Sequence, residues 1–191
     1  MSIEAKANYN QRLVQRLLIS IHDLAEAGCI AQQLLSLRLH DPGVDWESDD
    51  FMNGDYWVLK GLTIGMVVSY ARPFAASRGH ALPKLPDKLL RCLDPEELDL
   101  HREVCALRHR AYAHSDSDGY DVTLAVSSDS DFALPLYQAL PERLFERSEL
   151  ETFNLMTVKL EGAIEARVNE ILQRPSEETE GLTTYFPPQA T

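Results

Sequence analysis

Cysteine, basic charge and long apolar runs are all scarce in this chain. Three cysteines, Cys29, Cys92 and Cys105, stand far apart among 191 residues. An odd number at such spacing offers neither a disulfide framework nor a metal cage, so reduced thiols in or near the core are expected. Lys and Arg total 18 against 30 Asp and Glu, a net charge of -12. That balance excludes a protein coated in phosphate contacts, because nonspecific nucleic-acid binding needs clustered cations; at most a local basic patch remains. The longest apolar candidate, VLKGLTIGMVVSYA, is short and broken by Lys60, well under the roughly 18 to 20 residues that cross a bilayer. With Glu4 and Lys6 near its start, the chain lacks the basic start and apolar core of a secretory signal. A cytoplasmic protein without membrane contact is the expectation. Glu-x-x-His, which a carboxylate di-metal bundle needs, does not occur. Nor does a nucleophile elbow or any recognisable flank around Cys105. No metal and no cofactor is expected.

What is present is ordinary globular material, 45% hydrophobic and 25% charged, of a length that suits one domain. Residues 3 to about 39 read as one long helix or two in line, with Leu13, Leu17, Leu18, Ile21, Leu24 and Ala25 at three- and four-residue spacing. Gly28 either bends that helix or packs against a neighbour. HDPGVDWESDDFMNGD, rich in turn formers and carboxylates, reads as a solvated connection without the ligand ladder of a calcium loop. A second helix is predicted from Tyr56 to Ala76, buried along Leu59, Leu62, Thr63, Met66, Val67 and Tyr70, with Pro73 kinking it or ending it near Arg72.

SRGHALPKLP follows as a loop and DKLLRCL as a short apolar turn. Asp94, Pro95 and Glu97 then spell a helix start, an N-cap with a proline in the first turn and a capping-box glutamate. YDVTLAV and FALPLY alternate enough to suggest a short β-hairpin. A last helix is predicted over about 142 to 173, with Leu144, Phe145, Leu150, Phe153, Met156, Val158, Leu160, Ile164, Val168 and Ile171 as its apolar positions. The reading is all-α: an antiparallel helical bundle of four main helices with a short hairpin after the third. One domain covers residues 1 to 174, and residues 175 to 191 form a flexible tail.

The third helix runs into LRHRAYAHSD, residues 107 to 116, where two arginines and two histidines fall within ten residues of an acidic chain. At 100° per residue Leu100, Val104, Leu107 and Ala111 share one core-facing stripe. Arg108 lies to one side of it with His101 and Tyr112, and Arg110 and His114 lie to the other with Glu103. The plainest reading is a surface contact between Glu103 and Arg110, with His114 complementing the helix dipole.

The order of these residues resembles the signature of the HEPN superfamily, an arginine with a polar follower and a histidine after four to six intervening residues. Here Arg108 is the arginine, His109 the follower and His114 the histidine. The AHSD ending is similar to the branch associated with abortive phage infection. The resemblance implies a helical bundle that dimerises so that two motifs meet in a cleft. Active members are metal-independent endoribonucleases, toxins or phage-defence effectors, that cut RNA through attack by its own 2′-hydroxyl. It therefore implies catalytic roles for Arg108 as phosphate clamp and His114 as general acid or base, chemistry these residue types suit. His109, Arg110, Arg72, Tyr112 and Asp116 are supporting candidates. Implied partners are RNA or a nucleotide in the local cleft, a second copy of the chain, and an antitoxin or regulatory protein.

Arg108 and His114 stand about 120° apart on an ideal helix. A two-fold dimer that pairs one protomer's arginine with the other's histidine removes the conflict, as does unwinding after Tyr112. Arg110, four residues before His114, is the alternative anion-binding arginine. Arg72, near the break expected at Pro73, either reaches the same cleft or solvates the end of its helix. The chain departs from the commonest pattern in carrying His109 where asparagine or aspartate is usual, and Ser115 and Asp116 leave no tyrosine two after the histidine, so modification by a nucleotidyltransferase antitoxin is not supported. The competing reading is a non-catalytic HEPN-like module that binds a nucleotide, RNA or protein through the same cleft.

Overall fold

The computed structural model describes residues 3–38, 54–75, 82–109 and 145–174. Among them are four α-helices, α1 (Ile3–Leu37), α2 (Asp55–Ala71), α3 (Pro95–Leu107) and α4 (Arg147–Leu172), with 3-10 turns at Arg72–Phe74 and Asp87–Cys92. The described residues contain no strand, in keeping with the all-α reading. No described helix is long and apolar enough to cross a membrane. The acidic connection after His40, the expected hairpin and the tail after Arg174 lie outside the described residues.

At 35 residues, α1 is about 50 Å long and packs against both α4 and α2. Its core stripe is Leu13, Leu17, Leu24, Ala27, Ala31 and Leu34, each no more than 1% exposed. Leu18 lies off that stripe, at the boundary of exposure, and Ile21 and Ala25 are half-buried. Gly28 does not interrupt the helix. It is the close-approach point between helices, since a Cβ there would stand 3.0 Å from Thr157 Oγ1 on α4. The stripe also buries Asn10, Arg16, Ser20 and Asp23, so α1 supplies both the apolar floor of the core and its polar ties.

Pro73 ends α2 where expected. Without an N–H it cannot continue the hydrogen-bond ladder, and the chain tightens into the 3-10 turn. The carbonyls released there are taken by Arg16, 5% exposed, whose Nη2 donates to the oxygens of Arg72 at 3.0 Å, Pro73 at 2.5 Å and Ala75 at 3.1 Å. A guanidinium at a helix C-terminus also meets the negative end of the macrodipole.

α3 starts as its sequence specifies. Glu97 N donates to Asp94 Oδ1 and Asp94 N to Glu97 Oε2, both at 2.9 Å, with Pro95 in the first turn. Glu97 is only 3% exposed, and its other oxygen receives Lys159 Nζ of α4 at 2.5 Å. One carboxylate thus closes the cap and ties α3 to α4. α4 starts with its own capping box, Glu146 with Glu149, after the fully buried Phe145. Its buried residues are Leu150, Phe153, Met156, Thr157, Leu160, Ile164, Val168 and Ile171. Val158, counted among the apolar positions in the sequence, is 60% exposed beside the equally exposed Leu155, because the helix turns those positions away from α1. The cysteines also differ from expectation: Cys29 and Cys92 are exposed and only Cys105 is partly buried.

Substitution at the helical glycines separates these environments. Gly28→Val is expected to cost about 2 to 3 kcal/mol by overpacking against Thr157. Gly162→Ala, where a Cβ meets nothing within 4 Å, should gain about 0.5 to 1 kcal/mol from helix propensity. Urea denaturation of the three proteins checks both signs. Arg16→Met, leaving the carbonyls of Pro73 and Ala75 to find new partners while Arg72 O keeps the N–H of Ala75, should cost about 2 to 4 kcal/mol in the same assay.

Candidate functional site

Arg108 closes α3. Its backbone remains helical at φ -55 and ψ -42, and its N–H donates to Val104 O and Cys105 O. Residues 108–109 then form a wider, π-type turn, a departure from the 100° per residue on which an ideal wheel rests. The half-buried Arg108 and exposed His109 line a pocket of about 60 Å³ with Cys105 and with Ala71, Phe74 and Ala75 from the end of α2. That volume is about the liquid-phase share of two waters. Arg108 makes no ion pair with any described residue.

Arg110, Tyr112, His114 and Asp116 lie outside the described residues. Of the sequence candidates, Arg108 and His109 therefore share one pocket. Arg72 does not line it: its guanidinium meets Asp23 at 3.4 Å and Glu26 at 3.3 Å on α1, and Glu26 also accepts from Ser69 Oγ at 2.8 Å. Burial pushes the Asp23 carboxyl up, against the pull of Arg72 and Arg16.

Immediately behind the pocket is a buried polar pair that the sequence did not single out. Tyr70, fully buried, places its hydroxyl 2.8 Å from His101 Nδ1 and 3.3 Å from Met156 Sδ. Phe74 meets the His101 ring edge-on with centroids 4.6 Å apart. Cys105 Sγ is 4.0 Å from Nδ1. His101 is 7% exposed, so the inward face of α3 comprises Glu97, Leu100, His101 and Val104, wider than the apolar stripe alone. Leu107 is half-buried and Ala111 lies outside the described residues.

Burial, aided by the charge of Arg102, lowers the His101 pKa to about 4. Burial raises that of Tyr70 well above its ordinary value. Near neutral pH the pair is an uncharged imidazole and an uncharged phenol, a fixed joint between α2 and α3. Burial also pushes the Cys105 thiol up to about 11, with the Arg108 charge pulling it the other way. Among the described residues no group of three or more His, Cys, Asp or Glu is placed to hold a metal.

Comparison with protein-family models, with curated proteins and with solved structures finds no match.

The His101 joint has a pH signature. Its pKa falls from about 6.5 in the unfolded chain to about 4 in the fold, so protonation favours unfolding. Stability should be intact above pH 6.5 and decline by on the order of 2 kcal/mol as pH falls toward 4. His101→Gln, which keeps an acceptor without titrating, should flatten that part of the curve when unfolding free energy is measured from pH 7 to pH 4.

Proposed function

We propose that the chain is a HEPN-type metal-independent endoribonuclease acting as a toxin or phage-defence effector, built on an antiparallel bundle of four main helices. The observation that carries the reading is Arg108. It ends a well-capped helix beside the broken end of α2, lines a pocket, and has no ion pair among the described residues. An arginine spent on an internal carboxylate could not grip a substrate phosphate; this one has no such partner among the described residues. The order Arg108, His109, His114 in the sequence supplies the rest.

The chemistry follows from the residue types. The RNA 2′-hydroxyl attacks the adjacent phosphorus while a general base takes its proton. The P–O5′ bond breaks, and a general acid returns a proton to the leaving 5′-oxygen. The products are a 2′,3′-cyclic phosphate and a 5′-hydroxyl. Histidine as a residue type titrates near 6.5 when unperturbed, which suits His114 to serve as the acid or base. Arg108 holds the nonbridging oxygens by a two-pronged contact as charge builds on them. Two copies of the chain bring one protomer's Arg108 to its partner's His114. The acidic exterior, net -12, confines RNA to this cleft by repelling it elsewhere.

The test is incubation of the purified protein with mixed cellular RNA in excess EDTA. Fragments ending in 2′,3′-cyclic phosphate are expected from the wild type. His114→Ala should lower the cleavage rate by about 10² to 10⁴, and Arg108→Ala by about 10² to 10³. Intact RNA in all three reactions, with RNA still retained on the wild-type protein in a filter-binding assay, would replace the enzyme by an RNA-binding module.

A further inference from the structure

A second concentration of positive charge lies at the other end of α3. The 3-10 turn Asp87–Cys92 crosses the C-terminal half of α4 and leaves a pocket of about 230 Å³ between them. Leu89, Ala163 and Ala166 give it an apolar lining, and Lys88, Arg167 and Glu170 supply its charges. Arg167 is largely buried, its side chain 13% exposed, with Nη1 on Glu170 Oε2 and Nε buried without a hydrogen-bond partner among the described residues. Glu170 also reaches back through Oε1 to Arg174 Nη2 at 3.4 Å. Lys88 makes no hydrogen bond or ion pair with any described residue. Two cations and one carboxylate line the pocket, a local charge of +1 on a chain of net charge -12, and that carboxylate is shared with Arg174 outside it.

We propose that this pocket is a binding site for a phosphomonoester-class anion, gripped by Lys88 and Arg167 and guarded by Glu170. The guanidinium offers a planar fork and the ammonium a mobile point charge, a combination that suits a tetrahedral oxyanion. The leucine and two alanines leave room for a small apolar ester group beside it. Glu170 occupies the anion's place in the resting protein; its acidity is strengthened by the hydrogen bond from Arg167 and by the charges of Arg167 and Lys88. A ligand takes over Arg167 while Glu170 keeps its contact with Arg174. The site is separate from Arg108: α3, 13 residues long, puts about 20 Å between its two ends. It does not depend on the ribonuclease reading.

Isothermal titration at pH 7.5 and low ionic strength, with inorganic phosphate and with phenyl phosphate, decides it. One site is expected, with phenyl phosphate binding several-fold tighter than phosphate. Glu170→Gln should tighten phosphate about tenfold by removing a like charge. Lys88→Ala, an exposed change that leaves the core intact, and Arg167→Lys, which keeps the charge but loses the fork, should each weaken binding about tenfold in the Glu170→Gln background. Unchanged affinity in those variants, or no binding even by Glu170→Gln, would overturn the proposal. So would binding that survives Lys88→Ala but is lost in Arg108→Ala, since the anion would then sit in the other pocket.

Discussion

Arg16 holds the fold at the place where it would otherwise come apart. Pro73 ends α2 inside the protein, and of the carbonyls left there Arg72 O keeps a 3-10 bond from Ala75 N while those of Pro73 and Ala75 lie past the last helical turn. Burying them unpaired would cost on the order of 1 to 3 kcal/mol each. A single guanidinium from α1 donates to the oxygens of Arg72, Pro73 and Ala75, and its own burial, which lowers its pKa, is countered only in part by the charge of Asp23 seven residues on. Arg72 binds Asp23 and Glu26 on the same helix, so the turn is fixed to α1 from two sides. Phe74 and Ala75 are thereby set in position, one against His101 and both against the pocket of Arg108. The candidate site inherits its walls from a hydrogen-bonding problem solved elsewhere.

Local signals were legible in the sequence wherever the cause was local. Asp94, Pro95 and Glu97 announce α3 because a capping box is completed within four residues. Pro73 announces the end of α2 because its ring acts on its own turn. What escaped the sequence reading involves partners far along the chain. Nothing in residues near Arg16 says that it will meet carbonyls 56 to 59 positions later. Glu97 is legible as a capping-box residue, but its tie to Lys159 of α4 is not. Val158 and Leu155 fit an apolar helix as well as their buried neighbours do, and only the direction of α1 puts them outside.

The candidate site divides the same way. Arg108 and His109 stand out through order and spacing on one helix, whereas the opposite wall of their pocket comes from Ala71 to Ala75, more than thirty residues earlier. His101 lies on the same side of the wheel as Arg108, yet a wheel cannot say what that side meets. In the fold it meets Tyr70 and Phe74. The joint they form sets the rotation of α3 about its axis, and with it the direction in which Arg108 leaves the helix two turns further on.

The thiol of Cys105, held near a pKa of about 11, gives that wall a chemical property of its own. At neutral pH almost none of it is thiolate, the form that oxidants and electrophiles attack. The thiol beside Arg108 is therefore a poor target for oxidants at neutral pH. Since Cys105 already lines the pocket beside Arg108, what protects it is the scarcity of thiolate and not a lack of access, and its reactivity should rise steeply as pH climbs toward the ionisation of the thiol.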